Sequence, residues 1–217
     1  MYLSRLQLDT TNRNTMRALS EPQLFHGAVE RSFTGERQRN LWRIDSLGDS
    51  LYLMVVSAEK PDLTAAAQQF GSPSETARWE TKDYSPLLER ITTGSRWHFR
   101  LTANPIKHLS AHGTAGERGK VVAHVTPEHQ QQWLKEKAPQ YGFDVNRDEF
   151  LAVAEKRYQF RKGMDNKRLV TLLAVTFEGM LTVTDAELFR KTLISGMGRG
   201  KAYGMGMLTV VRAVDRL

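Results

Sequence analysis

The alternation of hydrophobic and polar residues predicts a β-α-β-β-α-β order of elements in the first part of the chain. The predicted elements are a strand, a helix, a hairpin, a weak helix and a weak strand: residues 1–9, 20–33, 40–46 with 50–59, 62–70 and 76–83. In the first helix, Phe25 and Val29 have the four-residue spacing that places side chains on one face. Its start resembles a capping box, with Ser20 as N-cap, Pro22 in the first turn and Gln23 as the N3 residue.

The second part of the chain repeats the same order. Its predicted elements are residues 96–101, 126–140, 149–161 with 168–183, 184–195 and 203–211. Thr126 and Thr184 are placed to cap the two helices, and residues 109–119 are expected to form a loop. The sequence therefore predicts an α+β fold of two tandem ferredoxin-like (βαββαβ, RRM-like) domains, residues 1–88 and 89–217.

Composition narrows the class of protein. The 217 residues carry a formal net charge of +7, and 40% of them are hydrophobic, enough for a buried core. A basic chain of this size often binds nucleic acid. The absence of cysteine excludes disulfides and thiolate chemistry and fits a cytoplasmic protein. Because no apolar run approaches the ~20 residues of a membrane span, we expect no membrane partner.

The positive charge is concentrated in the second half. Residues 155–168 contain six cations and two acids, and residues 96–120 contain five cations and one acid. The strand-like run 156–162 carries cations on both faces, which a buried strand would not do. Such a ribbon can enter a nucleic-acid groove or straddle two backbones, although a solvated hairpin face would have the same pattern.

Residues 196–206, called here the glycine-rich loop, contain five of the sixteen glycines, interleaved with Arg199 and Lys201. Glycine allows positive φ and close approach of the backbone, so such a loop can direct N–H groups to a phosphate. The spacing excludes a P-loop, which needs Ser or Thr at Ala202, and a dinucleotide fingerprint, which needs Gly at Lys201. The segment is either another kind of phosphate-binding loop or a tight structural turn, and we expect contact with a phosphate backbone.

His26 is the candidate proton-transfer residue. In a helix it shares one side with Gln23 and Glu30, at the rim of the apolar stripe, where a histidine can exchange a proton near neutral pH. One histidine is weak evidence, since an ordinary hydrogen-bonded histidine has the same signature. His108 and His112 are four residues apart but lie in a loop-like context without cysteine, so we expect no metal site and no cofactor.

Several segments occur together in the order typical of one protein family. They are Tyr2-Leu3-Ser4, Leu24-Phe25-His26, residues 99–107, residues 175–181 and the glycine-rich loop. Jointly they resemble the CasE family, the CRISPR repeat-RNA endoribonucleases of the type I-E Cascade complex, over nearly the whole length. The fold that this resemblance implies, two tandem ferredoxin-like domains, is also the one that the element order predicts.

The resemblance implies an enzyme that binds the stem-loop of each CRISPR repeat in precursor RNA and cuts at the 3′ base of the stem. The resemblance also implies that no metal is required. The 2′-hydroxyl next to the scissile phosphate would attack and leave a 2′,3′-cyclic phosphate and a 5′-hydroxyl. The same resemblance implies that the cleaved RNA is retained and that other Cascade subunits are partners.

The resemblance also implies roles for particular residues. His26 matches the catalytic histidine, as base or acid, and Arg31 matches a basic position that could stabilise the phosphorane. Gln23 stands where family members often carry a tyrosine, so a subunit that binds without cleaving is one alternative. The implied RNA-binding residues are Lys107, Arg157, Arg161, Lys162, Gly198, Arg199, Gly200 and Lys201. A scaffold protein with salt-independent partners is the second alternative.

Overall fold

The computed structural model describes residues 1–36, 38–72, 79–108, 121–162 and 168–213. The first half contains β1 (Tyr2–Leu8), α1 (Arg13–Ser20), α2 (Gln23–Arg31), β2 (Leu41–Leu47), β3 (Ser50–Ser57), α3 (Thr64–Phe70) and β4 (Trp79–Asp83). The remainder contains α4 (Ser85–Glu89), β5 (Arg96–Ala103), β6 (Ile106–His108), β7 (Val121–Ala123), α5 (Pro127–Lys137), β8 (Phe143–Asp144), β9 (Phe150–Lys162), β10 (Arg168–Val183), α6 (Ala186–Ser195) and β11 (Leu208–Arg212).

The four strands of the first half form one antiparallel sheet in the order β4-β1-β3-β2. Alternate residues of the central strands are buried, as in the pair of Leu6 with Leu53. Phe25 and Val29 of α2 and Phe70 of α3 pack in the same apolar cluster. This strand order, with helices over the sheet, is the ferredoxin-like arrangement, and the prediction for the first half is confirmed.

The segment between β1 and β2 differs from the prediction because it holds two helices. Ser20 ends α1 instead of capping the next helix, Pro22 is the N-cap residue of α2, and Gln23 is its first residue. The predicted capping box is therefore wrong. Helix α1 buries only Thr15 and Ala18, so no large apolar side chain marks its buried face in the sequence.

The second sheet has the order β11-β5-β10-β9 and is also antiparallel, with the short β8 paired to the end of β10. Trp133 of α5 stacks on Phe177 of β10, with ring centroids 6.3 Å apart. Phe189 of α6 lies against Phe143 of β8, with centroids 5.6 Å apart. The order of β5, β9, β10 and β11 repeats that of the first sheet, so the second ferredoxin-like unit is confirmed.

Two predicted boundaries in the second half need correction. Asp185 rather than Thr184 caps α6, because its carboxylate accepts the N–H of Leu188 at 3.0 Å. The last strand begins at Leu208 rather than Tyr203, since Lys201–Tyr203 forms a 3-10 turn. The predicted loop 109–119 and the hairpin tip 163–167 lie outside the described residues.

The two halves share buried contacts. Leu41 and Val56 of the first sheet belong to the apolar cluster of the second half, together with Tyr84 and Leu88. The predicted domain boundary between residues 88 and 89 falls within α4 and stays a prediction. None of the helices in the described ranges is long and apolar enough to span a membrane.

Candidate catalytic cleft

The side of α2 that carries His26 forms one wall of an open cleft. Phe25, Ala28 and Val29 of this helix are buried, which leaves His26 half-buried at the edge of the core. Glu30 follows one turn later on the same side and also lines the cleft. His26 therefore lies at the rim of the apolar stripe, as the helical spacing predicts.

The glycine-rich loop forms the opposite wall. All five of its glycines have a positive φ, between +68° and +88°. A Cβ on Gly206 would overlap the carbonyl oxygen of Met197, and one on Gly204 would lie 2.7 Å from the Trp42 ring. The amide of Gly206 donates to the carbonyl of Thr102 at 2.6 Å. The glycines thus build a tight turn, and contact with a phosphate is a separate question of function.

The cleft between these walls has a volume of about 570 Å³. It brings His26 together with four predicted RNA-binding residues, namely Gly198, Arg199, Gly200 and Lys201. Further lining residues, which sequence reasoning missed, are Gln38, Arg39, Asn40 and Ala202. The first three precede β2 and reach the cleft because β2 runs beside the glycine-rich loop. No motif in the sequence marks them.

Positive charge dominates this cleft. Burial and the nearby guanidinium of Arg39 hold the pKa of the Lys201 ammonium below its ordinary value. Arg199 adds a third cation, whereas Glu30 is an acid of the same lining. An excess of cations beside a glycine-rich backbone favours an anion such as phosphate.

Arg31 and Gln23 lie on α2 but are not among the described residues that line the cleft. Arg31 is about 140° around the helix from His26, at 100° per residue. Its guanidinium donates to Oε1 of Gln69 at 3.2 Å. Gln23 is half-buried at the start of α2, one turn before His26. Neither residue lines the cleft with His26, and their catalytic roles stay predictions.

Strands β9 and β10 form the long ribbon that the basic run predicts. Arg157 and Arg161 are exposed on β9, and Lys162 is its last residue. Phe160 is buried, and its ring lies 5.3 Å from the ring of Tyr203 in the glycine-rich loop. The ribbon therefore packs against the glycine-rich loop, so a nucleic acid bound to the ribbon would lie beside the cleft of His26.

Lys107 is exposed on β6 and does not line the cleft of His26. Its neighbour Ile106 lines a second cleft of about 350 Å³ with Trp133. Gly198 and Arg199 line this second cleft as well as the first. The two clefts therefore meet at the glycine-rich loop, and Lys107 lies beside the second one.

The sequence matches the protein family described as CRISPR associated protein over residues 1–212. The chain belongs to this family. It is 31% identical over 227 residues to the CRISPR-associated endoribonuclease Cse3 of Thermus thermophilus, with 97% of this chain and 99% of the relative covered. These matches confirm the resemblance to the CasE endoribonucleases.

Solved structures of relatives have the same fold. The structure of the CRISPR endoribonuclease Cse3 bound to 19 nt RNA matches with a TM-score of 0.80 and 28% identity, over 97% of this chain and 100% of the other. Thermus thermophilus Cse3 bound to an RNA representing a pre-cleavage complex matches with a TM-score of 0.76 and 27% identity, over 97% and 98% of the two chains. Both structures cover the two halves, so the tandem arrangement is common to this chain and these relatives.

The other histidines differ from His26 in their surroundings. His98 is exposed on β5, and the rings of His124 and His129 lie 5.9 Å apart beside the start of α5. His112 of the His108/His112 pair lies outside the described residues. Within the described ranges, no three His, Cys, Asp or Glu side chains are placed to hold one metal ion, and His26 is the histidine that lines the cleft.

Proposed function

We propose that this protein is an endoribonuclease that binds the stem-loop of CRISPR repeats in precursor RNA, cleaves at the 3′ base of the stem and retains the mature RNA. The observation that carries the proposal is the cleft shared by His26 and the glycine-rich loop with Arg199 and Lys201. A proton-transfer group opposite phosphate-binding groups is what RNA cleavage by its own 2′-hydroxyl needs. The endoribonuclease named among the relatives supports the same activity.

The proposed reaction begins with attack of the 2′-oxygen on the adjacent phosphorus. As the new O2′–P bond forms, the bond from phosphorus to the 5′-oxygen breaks, which gives a 2′,3′-cyclic phosphate and a 5′-hydroxyl. His26 either accepts the proton of the 2′-hydroxyl or donates a proton to the leaving 5′-oxygen, and solvent water exchanges the other proton. We assign proton transfer and charge stabilisation to side chains of the protein and propose a metal-independent reaction.

The cations of the cleft are the proposed stabilisers of the phosphorane. Arg39, Arg199 and Lys201 line it beside His26, and removal of one donor to a developing oxyanion typically lowers the rate about 10²- to 10³-fold. The backbone at Gly198 and Gly200 is the proposed phosphate cradle. Arg31 and Gln23 remain secondary candidates, because both lie on α2 outside the cleft lining.

Binding of the stem is assigned to the basic ribbon. Arg157, Arg161 and Lys162 of β9 are proposed to contact the major groove near an end of the stem, where the depth of an A-form groove is less restrictive. Lys107 is proposed to contact a backbone phosphate beside the second cleft. The same proposal includes other Cascade subunits as partners and the cytoplasm as the location.

The test is a cleavage assay in EDTA with a labelled repeat stem-loop and the same RNA carrying a 2′-deoxy nucleotide at the scissile position. We expect wild type to cut only the ribonucleotide substrate and to leave a 2′,3′-cyclic phosphate. His26→Ala should bind the RNA as wild type does without cutting it, and His98→Ala, which changes an exposed histidine of β5, should cut normally. Cleavage of the 2′-deoxy RNA, or full activity of His26→Ala, would contradict the mechanism.

A second candidate function is a subunit that holds the stem-loop without cutting it. Gln23 favours this reading, since glutamine cannot transfer a proton as the tyrosine of many family members can. Tight binding of the repeat RNA by wild type with no product in the same assay would establish it. A Gln23→Tyr variant that gains cleavage would then identify the missing group.

A further inference from the structure

We infer that Arg43 is a positioning residue for the cleavage reaction, which holds the glycine-rich loop at its working distance from His26. The inference rests on the proposed function, since it concerns the rate of that same cleavage. Arg43 does not line the cleft of His26. It lies at the wall of a neighbouring cleft beside the ribbon, but only 2% of the residue is exposed, so we expect it to act on the chemistry through the parts that it connects.

The Arg43 guanidinium is buried and fully hydrogen-bonded. Only 2% of the residue is exposed, and all five of its N–H groups have acceptors. Two donate to the carboxylate of Asp45, at 2.8 and 2.6 Å. The other three donate to the carbonyls of Arg100 (2.9 Å) and Met207 (2.8 Å) and to Oγ1 of Thr209 (2.8 Å). Such a set of bonds fixes a guanidinium in one place and one orientation.

These bonds join the two halves at the end of the glycine-rich loop. Arg43 and Asp45 lie on β2 of the first sheet, whereas Arg100 and Thr209 lie on β5 and β11 of the second. Met207 follows the last glycine of the loop directly. The Arg43 guanidinium therefore holds the point where the loop enters β11 against a strand of the other half.

The residues before Arg43 contact the rest of the loop. A Cβ built on Gly196, at the start of the loop, would lie 2.8 Å from the Leu41 side chain. A Cβ built on Gly204 would lie 2.7 Å from the ring of Trp42. Consecutive residues of β2 thus contact the start of the loop, its second half and the residue that follows it, and Arg43 supplies the polar, directional contact of the three.

This placement matters because the two walls of the cleft come from different halves. His26 is held by α2 of the first half, and Lys201 is held by the glycine-rich loop of the second. A displacement of ~1 Å between reacting groups can lower a rate about 10²-fold. The contacts between β2 and the glycine-rich loop, the last of which is made by Arg43, set the distance between His26 and Lys201.

A purely stabilising role is the competing explanation. Replacement of both members of a buried ion pair by apolar side chains often changes stability little. Loss of one partner destabilises the fold, because it leaves the other charge buried without a partner. Arg190 provides a matched control, because its guanidinium donates to the carbonyls of Leu88 (3.0 Å) and Ile91 (2.6 Å) in the connection between the halves. Arg190 also pairs with Glu187, and its side chain is 28% exposed. Arg190→Met thus removes an arginine that bonds two backbone carbonyls and whose partners lie outside the glycine-rich loop.

The experiment compares wild type, Arg43→Met, Arg43→Lys and Arg190→Met in single-turnover cleavage at saturating repeat stem-loop RNA, with RNA affinity and thermal unfolding measured in parallel. We expect Arg43→Met to lower the rate about 10²-fold while RNA affinity changes far less. Arg43→Lys, which keeps the charge with three donors, should be intermediate. Arg190→Met should cleave at the wild-type rate even if its melting temperature falls. In a Lys201→Ala background, Arg43→Met should cause a smaller further loss, because the group that it positions is gone.

The outcomes separate the two proposals. If wild type cuts and both Arg43 variants cut at the wild-type rate, the positioning role is wrong and the proposed function stands. Equal slowing by Arg190→Met would also overturn it, since any lost arginine contact would then suffice. If Arg43→Met does not fold, Arg43→Lys carries the comparison. A wild-type protein that binds the RNA without cutting it would overturn both proposals.

Discussion

Lys201 is a residue whose charge depends on its place in the fold. Burial and the Arg39 guanidinium lower the pKa of its ammonium, so it loses its proton at a lower pH than an exposed lysine does. Only the protonated form attracts a phosphate. The contribution of Lys201 is therefore present below the lowered pKa and declines as the pH rises through it.

We expect Lys201→Arg to keep the cleavage activity to a higher pH than wild type, because arginine stays protonated throughout. Lys201→Ala should cleave about 10²-fold more slowly at neutral pH. Single-turnover rates across neutral and alkaline pH measure both effects. Lys135→Arg, which changes an exposed lysine of α5, is the control. The same alkaline limb in wild type and Lys201→Arg would show that another group titrates.

At the scale of single residues, only part of the site can be predicted from the sequence. The helical spacing places His26 at the edge of a core, and the density of glycine marks the loop. Arg39 and Arg43 carry no such signal, since an arginine before or within a strand is ordinary. Their importance comes from which strand of the other half lies beside them, and this is a property of the folded chain alone.

At the scale of elements, the glycine-rich loop has little freedom to vary. Gly206 combines a φ of +85° with a close approach to the Met197 carbonyl. Gly94 has a similar φ of +84°, but no atom lies within 4 Å of a Cβ built on it. An alanine at Gly94 therefore introduces backbone strain alone, whereas an alanine at Gly206 introduces the same strain together with steric overlap.

We expect Gly94→Ala to lower the free energy of unfolding by about 1–2 kcal/mol, the strain of a left-handed residue, with the cleavage rate unchanged. Gly206→Ala should lose about 1–3 kcal/mol more, because its methyl group overlaps the backbone, and should cleave slowly. Urea unfolding and single-turnover cleavage measure the two quantities. Equal effects at both positions would mean that the loop adjusts to the methyl group without cost.

The β9–β10 ribbon belongs to the same scale, and its exposed cations predict a salt effect. Arg157→Ala with Arg161→Ala should reduce the slope of log affinity against log salt by roughly 1.4 to 1.8, if each arginine contacts one phosphate. The matched control is Lys82→Ala with Arg90→Ala, which removes two exposed cations and should leave the slope unchanged. An unaltered slope in the ribbon variant would show that these two arginines contact no phosphate.

The sequence predicts the long strands better than the helix starts. The long strand-like runs at residues 149–161 and 168–183 predict strands that the structure has at Phe150–Lys162 and Arg168–Val183. The sequence does not predict helix α1, which buries two small residues, and Ser20 therefore resembles the cap of the following helix. The predicted start of β11 is too early, since Tyr203 is apolar but belongs to a 3-10 turn between two left-handed glycines.

For the whole molecule, the shared core predicts that both halves unfold together. Leu41 and Val56 of the first sheet pack in the core of the second half, and Arg43 bonds across the same boundary. We expect far-UV circular dichroism and tryptophan fluorescence to give one coincident urea transition, although a domain boundary between residues 88 and 89 is proposed. Two separated transitions would show that the contacts between the halves are weak.

The element pattern predicts two ferredoxin-like units but not their relative placement. The relative placement of the units is set by contacts that have no periodicity along the chain. These contacts join Leu41, Trp42 and Arg43 to the glycine-rich loop. They depend on residues more than 150 positions apart. The cleft is a product of that placement, because His26 and Lys201 come from different units.

The most direct test of this account is a crystal structure of the protein with a repeat stem-loop that carries a 2′-deoxy nucleotide at the scissile position. We predict that the scissile phosphate lies in the cleft, within hydrogen-bond distance of the His26 ring and of a backbone amide or cation of the glycine-rich loop. A stem-loop whose scissile phosphate lies elsewhere, away from His26, would contradict the account.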